Sequence, residues 1–211
     1  MSDIDSDDDV IALPADTLAL GCRCRCRATK IEVTMEDFKE DWQLSQFWYS
    51  DETAQHLANY SIAVTPEGGA LGCVSSPTVF VEMMKSDSLP KTLNPFVFEF
   101  DKRFAVFGSS FVFYDYNQPT DLDTSLHRNF DTLVVDPPFL SDECWTKTSE
   151  TVRWLAKEGC KIIVCTGLVM REKIARELGC KLCAFEPKHK GGLSNEFGCY
   201  TNFESEGFRW V

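Results

Sequence analysis

Seven short apolar runs, set apart by polar or helix-like stretches, limit what this chain can fold into more than any other feature. They read "ALGCVSS", "PFVFEF", "SFVFYDY", "DTLVVD", "CKIIVCTG", "KLCAFEP" and "FGCYTNF". Each has the length and the bounding turn residues of a strand, and most are rich in β-branched or aromatic residues. Residues 143–157, with Val152 and Leu155 among the apolar positions, and "MREKIARELG", ended by Gly179, read as crossover helices between runs. Strands alternating with helices predict a mostly parallel sheet covered on both faces. Only a polar loop containing Gly191 and Gly192 separates the last two runs, so these should pair antiparallel.

Ahead of the first run, Ser50 is placed as an N-cap, with acids in the first turn and Ala54, Leu57, Ala58 and Ile62 at helical spacing. A helix should follow Tyr49. Residues 1–30 differ, combining an acidic head, "MSDIDSDDDV", with the run "GCRCRCR" and showing no sustained period. They read as a tail on a single domain of residues 31–211. Cys22, Cys24 and Cys26 lack the second, downstream pair that zinc sites use, so no metal is expected. Cys73, Cys165 and Cys199 sit singly in apolar runs, where a reduced thiol packs as a small hydrophobe. No run is long enough to span a bilayer, and the start is acidic where a secretory signal would be basic. These features predict a cytoplasmic protein without membrane contact. A net charge of -12 disfavours nucleic acid, whose binding needs a basic face, and favours basic partners.

In an open α/β sheet, ligands bind beyond the carboxyl ends of the strands, near the point where strand order reverses. The residues that end each run are therefore the candidate site. Run one ends in Ser75, Ser76 and Pro77, run two in Glu99 and Asp101, run three in Asp115 and Asn117, and run four in Asp136, Pro137, Pro138 and Phe139. An acid after the second strand can accept from ribose hydroxyls, and one after the third from an adenine amino group. Taken singly, each acid is more simply a turn cap, but their common location suits an adenosine-containing cofactor. The loop "VSSPTVF" has no glycine-rich turn, which argues against a phosphate-gripping dinucleotide enzyme. In "DPPF" the proline pair ends the strand, removes two backbone donors and leaves carbonyls unpaired. With Asp136 before and Phe139 after, the turn offers acceptors and an aromatic face to an amine that must aim its lone pair at a methyl group.

A parallel sheet closed by an antiparallel pair is the outline of the class I, Rossmann-like methyltransferases that use S-adenosylmethionine. The segments "WQLSQFWYSDETA", "FEFDKRFAVFG", "FVFYDYNQP", "VVDPPFLSDEC", "KTSETV" and "NEFGCY" carry the comparison further. Together they resemble the eukaryotic elongation factor 1A lysine methyltransferases, a family once classed as N6-adenine-specific DNA methyltransferases. The resemblance spans residues 40–205. It implies S-adenosylmethionine as cofactor and translation elongation factor 1A as substrate. It puts Asp136, Pro137, Pro138 and Phe139 at the target amine and Phe47, Trp48 and Tyr49 in the segment covering the cofactor. Ser75, Ser76 and Pro77 then stand where other methyltransferases have a glycine-rich loop. Residues 21–30 do not share the resemblance. "FWY" also fits a simpler role, stapling the following helix to the core, and His56 and His189 read as structural rather than catalytic. Two other functions remain open: N6-adenine methylation of nucleic acid, where the same turn grips a flipped base, and an inactive interaction module that keeps the fold.

Overall fold

In β1 (Ala70–Val74) the side chains alternate as a strand requires: Leu71 and Cys73 join one apolar cluster, Ala70 and Val74 the other. Gly72 between them allows close approach, because a Cβ there would meet Leu133 Cδ2 at 2.8 Å and the Phe130 ring at 3.0 Å. This is a computed structural model, and it describes residues 33–193 and 195–211. The expected tail of residues 1–30, with Cys22, Cys24 and Cys26, lies outside the described residues.

All seven predicted runs form strands. β2 (Asn94–Glu99), β3 (Phe111–Phe113), β4 (Phe130–Val135) and β5 (Ala156–Gly167) run parallel with β1, and β6 (Lys181–Leu182) and β7 (Phe197–Thr201) complete the sheet. The order is β3-β2-β1-β4-β5-β7-β6, and β7 is antiparallel to both β5 and β6. β6 is shorter than the run "KLCAFEP" suggests. The Cys183 amide still donates to the Cys199 carbonyl of β7, but Cys183 also forms an isolated bridge with Trp210, and from Ala184, whose amide donates to the Arg209 carbonyl, the chain pairs with the C-terminal residues instead.

α1 (Asp51–Val64) starts where expected, with Ser50 Oγ accepting from the Thr53 amide, and buries Ala54, Leu57, Ala58 and Ile62. α2 (Pro77–Lys85) is a helix that the reading of "VSSPTVF" as a loop did not include; Pro77 occupies its first turn, where the missing amide hydrogen costs nothing. Together α1 and α2 cover one face of the sheet, with Leu57, Ile62, Phe80 and Met83 packed in the cluster of Leu71, Val97 and Ile163. α3 (Asp142–Leu155) and α4 (Arg171–Leu178) cover the other, through Trp145, Val152, Leu155 and Ile174. α4 ends at Gly179, whose φ of 66° is the left-handed cap that favours glycine. Cys73, Cys165 and Cys199 are buried free thiols. Among the described residues no helix is long and apolar enough to cross a membrane.

Strand order reverses between β1 and β4. The Val74 carbonyl at the end of β1 accepts from the Asp136 amide at 3.0 Å, and the Phe98 carbonyl of β2 accepts from the Ser75 amide at 2.8 Å. These bonds hold three strand ends side by side.

Candidate active site

A cavity of about 550 Å³ opens over those strand ends. Its floor follows the strand order: Asp136, Pro137, Pro138 and Phe139 after β4, Ser75 and Ser76 after β1, Glu99 after β2, and Asp115 after β3. Phe47, Trp48 and Tyr49 border it from the segment before α1, His189 and Asn195 from the polypeptide leading into β7, and Phe197 from the first residue of β7.

Ser75 takes a left-handed φ of 50°, a strain of about 1 kcal/mol for a residue with a Cβ. That bend sends the chain straight into α2. Ser76 is buried against the cavity, and its Oγ has no hydrogen-bond partner among the described residues. Pro77 does not line the cavity: as the first residue of α2 it is buried, and Thr78 lines the wall instead.

Glu99 and Asp101 separate in the same way. Glu99 faces the cavity, and its Oε1 accepts from the Phe100 amide at 3.0 Å and the Asp101 amide at 3.1 Å. Burial, with the Asp101 charge adding to it, pushes its pKa up to about 7 against the pull of those amides. Asp101 does not line the cavity. Its Oδ1 accepts from the Arg103 amide at 2.9 Å, its Oδ2 from Gln46 Nε2 at 2.9 Å, and the Arg103 guanidinium pairs with it at 2.6 Å. Burial disfavours its charge, but these donors outweigh that and hold its pKa below the ordinary value. The carboxylate is fully used in tying the segment before α1 to the end of β2.

Asp115 lines the cavity while its Oδ1 accepts from the Asn117 amide at 2.8 Å. The next residue, Tyr116, packs edge-on against Phe139 with centroids 5.8 Å apart. Phe139 is 43% exposed at the cavity, whereas Pro137 is buried. The Asp136 side chain is half-buried and opens onto the cavity. Burial pushes its pKa up to about 7; a hydrogen-bonding contribution from Tyr49 opposes the shift and the Glu99 charge adds to it. The proline pair thus carries a carboxylate whose charge state changes near neutral pH.

Of the three aromatics before α1, Trp48 serves packing: its Nε1 donates to the Phe38 carbonyl at 2.9 Å and its ring meets Phe104 edge-on. Phe47 is 38% exposed and Tyr49 only 1%. The segment is pinned by the loop before β7, where the Ser50 amide donates to the Lys188 carbonyl at 2.8 Å and the Lys190 amide to the Trp48 carbonyl at 2.9 Å. This pairing lays His189 on Tyr49, ring centroids 4.8 Å apart. Burial pushes the His189 pKa down to about 4, so its ring is neutral near pH 7. His56 is structural, stacked on Phe185 and bonded to the Gly207 carbonyl. Gln46, Tyr116 and Phe197 are site residues that the strand-end argument missed; Tyr116 lay in plain view in "FVFYDY", while Gln46 and Phe197 reach the site through tertiary pairing. Among the described residues no group of three or more His, Cys, Asp or Glu could hold a metal ion.

Comparison with known proteins agrees with this geometry. The family described as probable N6-adenine methyltransferase matches residues 40–205. EEF1A lysine methyltransferase 1 of Homo sapiens is 48% identical over 168 residues, covering 79% of this chain and 77% of the relative. The Gallus gallus protein of the same name is 42% identical over 212 residues, covering 95% and 98%. Protein-lysine N-methyltransferase EFM5 of Saccharomyces cerevisiae is 41% identical over 198 residues, covering 86% and 79%. Among solved structures, a predicted O-methyltransferase from Agrobacterium tumefaciens superposes with a TM-score of 0.53 at 10% identity, covering 75% of this chain and 83% of its own. A type I restriction-modification methyltransferase subunit from Streptococcus thermophilus gives 0.54 at 10% identity, covering 74% and 44%. The fold is that of class I methyltransferases, and the chain belongs to the probable N6-adenine methyltransferase family, in which the relatives compared here are named as protein-lysine methyltransferases.

Proposed function

We propose that the protein is a protein-lysine N-methyltransferase that uses S-adenosylmethionine and acts on translation elongation factor 1A. The observation that carries this reading is the Asp136 turn: a carboxylate and a proline-ended strand set at the floor of a cavity walled by Phe139 and Tyr116. The names of the Homo sapiens and Gallus gallus relatives supply the substrate.

The residues present fit the cofactor. The Ser76 hydroxyl, without a partner among the described residues, the Glu99 carboxylate, of which only Oε1 is engaged among them, and Asp115 offer polar groups for an adenosine, and the cavity is of ligand size. Glu99 would accept from the ribose hydroxyls and Asp115 from the adenine amino group. Phe47 and Tyr49 would cover the site from the segment before α1. When bound, S-adenosylmethionine supplies a sulfonium methyl group, whose S–C bond breaks as the N–C bond to the target amine forms.

The chain's own task is to prepare the amine. A free lysine ammonium has a pKa of about 10.4, so it must lose a proton before it can attack. Asp136 and the Pro137 carbonyl would accept hydrogen bonds from the nitrogen, leaving its lone pair aimed into the cavity, while desolvation there favours release of the proton to water. Phe139, exposed at the mouth, would hold the incoming ammonium by cation–π attraction. The net charge of -12 steers basic protein surfaces toward the enzyme and repels a phosphate backbone.

The test incubates one enzyme stock and radiolabelled cofactor with purified elongation factor 1A, and in parallel with adenine-containing single- and double-stranded DNA at low salt. Label is expected on a lysine of the protein. Label on DNA alone would overturn the reading and assign the turn to adenine.

A further inference from the structure

Tyr49 is too deeply placed to act only as a cover. It is 1% exposed, and its hydroxyl has no hydrogen-bond partner in good geometry among the described residues. Its side chain nonetheless lines the same cavity as Asp136, and the Asp136 carboxylate and the Cys165 thiol of β5 both bear on its titration. The ring is fixed by His189, 4.8 Å away, which in turn meets Phe197 edge-on at 4.8 Å. The backbone is fixed as well, by the isolated bridge between Tyr49 and His189. A buried hydroxyl forgoes solvation, and a rigid seat beside a carboxylate is where that loss can be recovered once the carboxylate is charged.

We propose that Tyr49 is a positioning residue for Asp136: its phenol donates to the ionised carboxylate, holds it in one rotamer and leaves the other oxygen for the target amine. The amine half of this statement rests on the methyltransferase reading; the pairing of Tyr49 with Asp136 does not. Glu99, from the end of β2, disfavours the charge on Asp136. Cys165 faces the phenol, and its thiol is a weak donor. His189 is neutral near pH 7 and so adds no positive charge. That leaves the Tyr49 phenol as the strong donor beside Asp136. Burial and the Asp136 charge both raise the phenol's own pKa, so it keeps its proton and remains a donor.

Tyr49→Phe removes the donor and keeps the ring. In cofactor-free protein carrying a 13C label in the aspartate carboxyl groups, with Asp136→Asn to assign the signal, the Asp136 titration in Tyr49→Phe should move to higher pH by about tenfold in proton affinity. In the full reaction the acidic limb of the pH–rate profile should move the same way, with cofactor affinity unchanged within about twofold. An Asp136 titration identical in the two proteins would overturn the proposal, as would a loss of cofactor binding that matches the loss of rate. If no substrate is methylated at all, the function reading fails and the carboxyl titration still decides the pairing. If Tyr49→Phe folds poorly, 3-fluorotyrosine in place of tyrosine supplies a stronger donor and should move the titration to lower pH; no movement would overturn the pairing.

Discussion

β1 and β4 lie side by side, Val74 in register with Val135, and each runs into a turn containing proline. After β1 there is no slack: Ser75 bends through a left-handed conformation and Pro77 is already the first residue of α2. After β4, α3 does not start until Asp142, capped by Ser141, so Asp136, Pro137, Pro138 and Phe139 stand clear of any helix. In the first turn the proline replaces an amide that a helix start leaves unpaired. In the second, two prolines leave carbonyls that no helix uses and push a carboxylate and a ring toward the cavity. On the proposed reading, the distance from the proline to the next helix cap separates a structural turn from a chemical one.

The contrast breaks most visibly at Asp136. Asp136→Ala should lower turnover by about 100-fold or more, because on the proposed reading it removes the group that orients the nucleophile while the fold remains. Steady-state kinetics on the modified protein would show it, and turnover within a few-fold of wild type would return the DPPF turn to a structural role.

Phe139→Ala tests the aromatic half of the same turn. KM for the protein substrate should rise by about tenfold with a smaller change in kcat, as expected when a cation–π contact is made on binding rather than only in the transition state.

A smaller effect comes from the two acids themselves. Glu99 and Asp136 both have folded-state pKa values near 7, above those of the unfolded chain. Between about pH 4 and 7 the folded protein therefore binds more protons than the unfolded one. Stability from these groups is fully present at the acid end of that window, falls as pH rises through it and levels off above it. Cofactor-free protein should melt about 3 °C higher at pH 5.5 than at pH 8, and Glu99→Gln should reduce that difference. A differential melt at the two pH values checks both.

The smallest effect is expected at Pro77. Pro77→Ala should lower the melting temperature by about 2 °C, through added freedom in the unfolded chain, and leave turnover unchanged. A marked loss of turnover would erase the distinction between the two turns.

How much was legible beforehand follows the same line. Runs such as "DTLVVD" announce strands because burial on both faces of a parallel sheet leaves few polar interruptions, and the carboxyl ends of those strands then locate the cavity. α2 was hidden because "PTVFVEMMK" is too short and too evenly apolar to show a helical period. Glu99 and Asp101 look alike in sequence; only Gln46 and Arg103 determine that the second is consumed in a tie. Tyr49 and His189 meet because the loop before β7 pairs with the segment before α1, a contact that no local pattern encodes. What the sequence displays is the periodic part of the fold; what it conceals are polar contacts between segments far apart in the chain.

The central claim is that one cavity has two halves, with Ser76 and Glu99 for the cofactor and Asp136 for the amine. Calorimetric titration of S-adenosylmethionine into wild type, Glu99→Gln and Asp136→Ala tests it most directly. The account predicts saturable binding by wild type, affinity within about threefold for Asp136→Ala, and at least about tenfold weaker binding for Glu99→Gln, whose proposed ribose acceptor loses its charge. Equal losses in the two variants, or no binding by wild type, would contradict it.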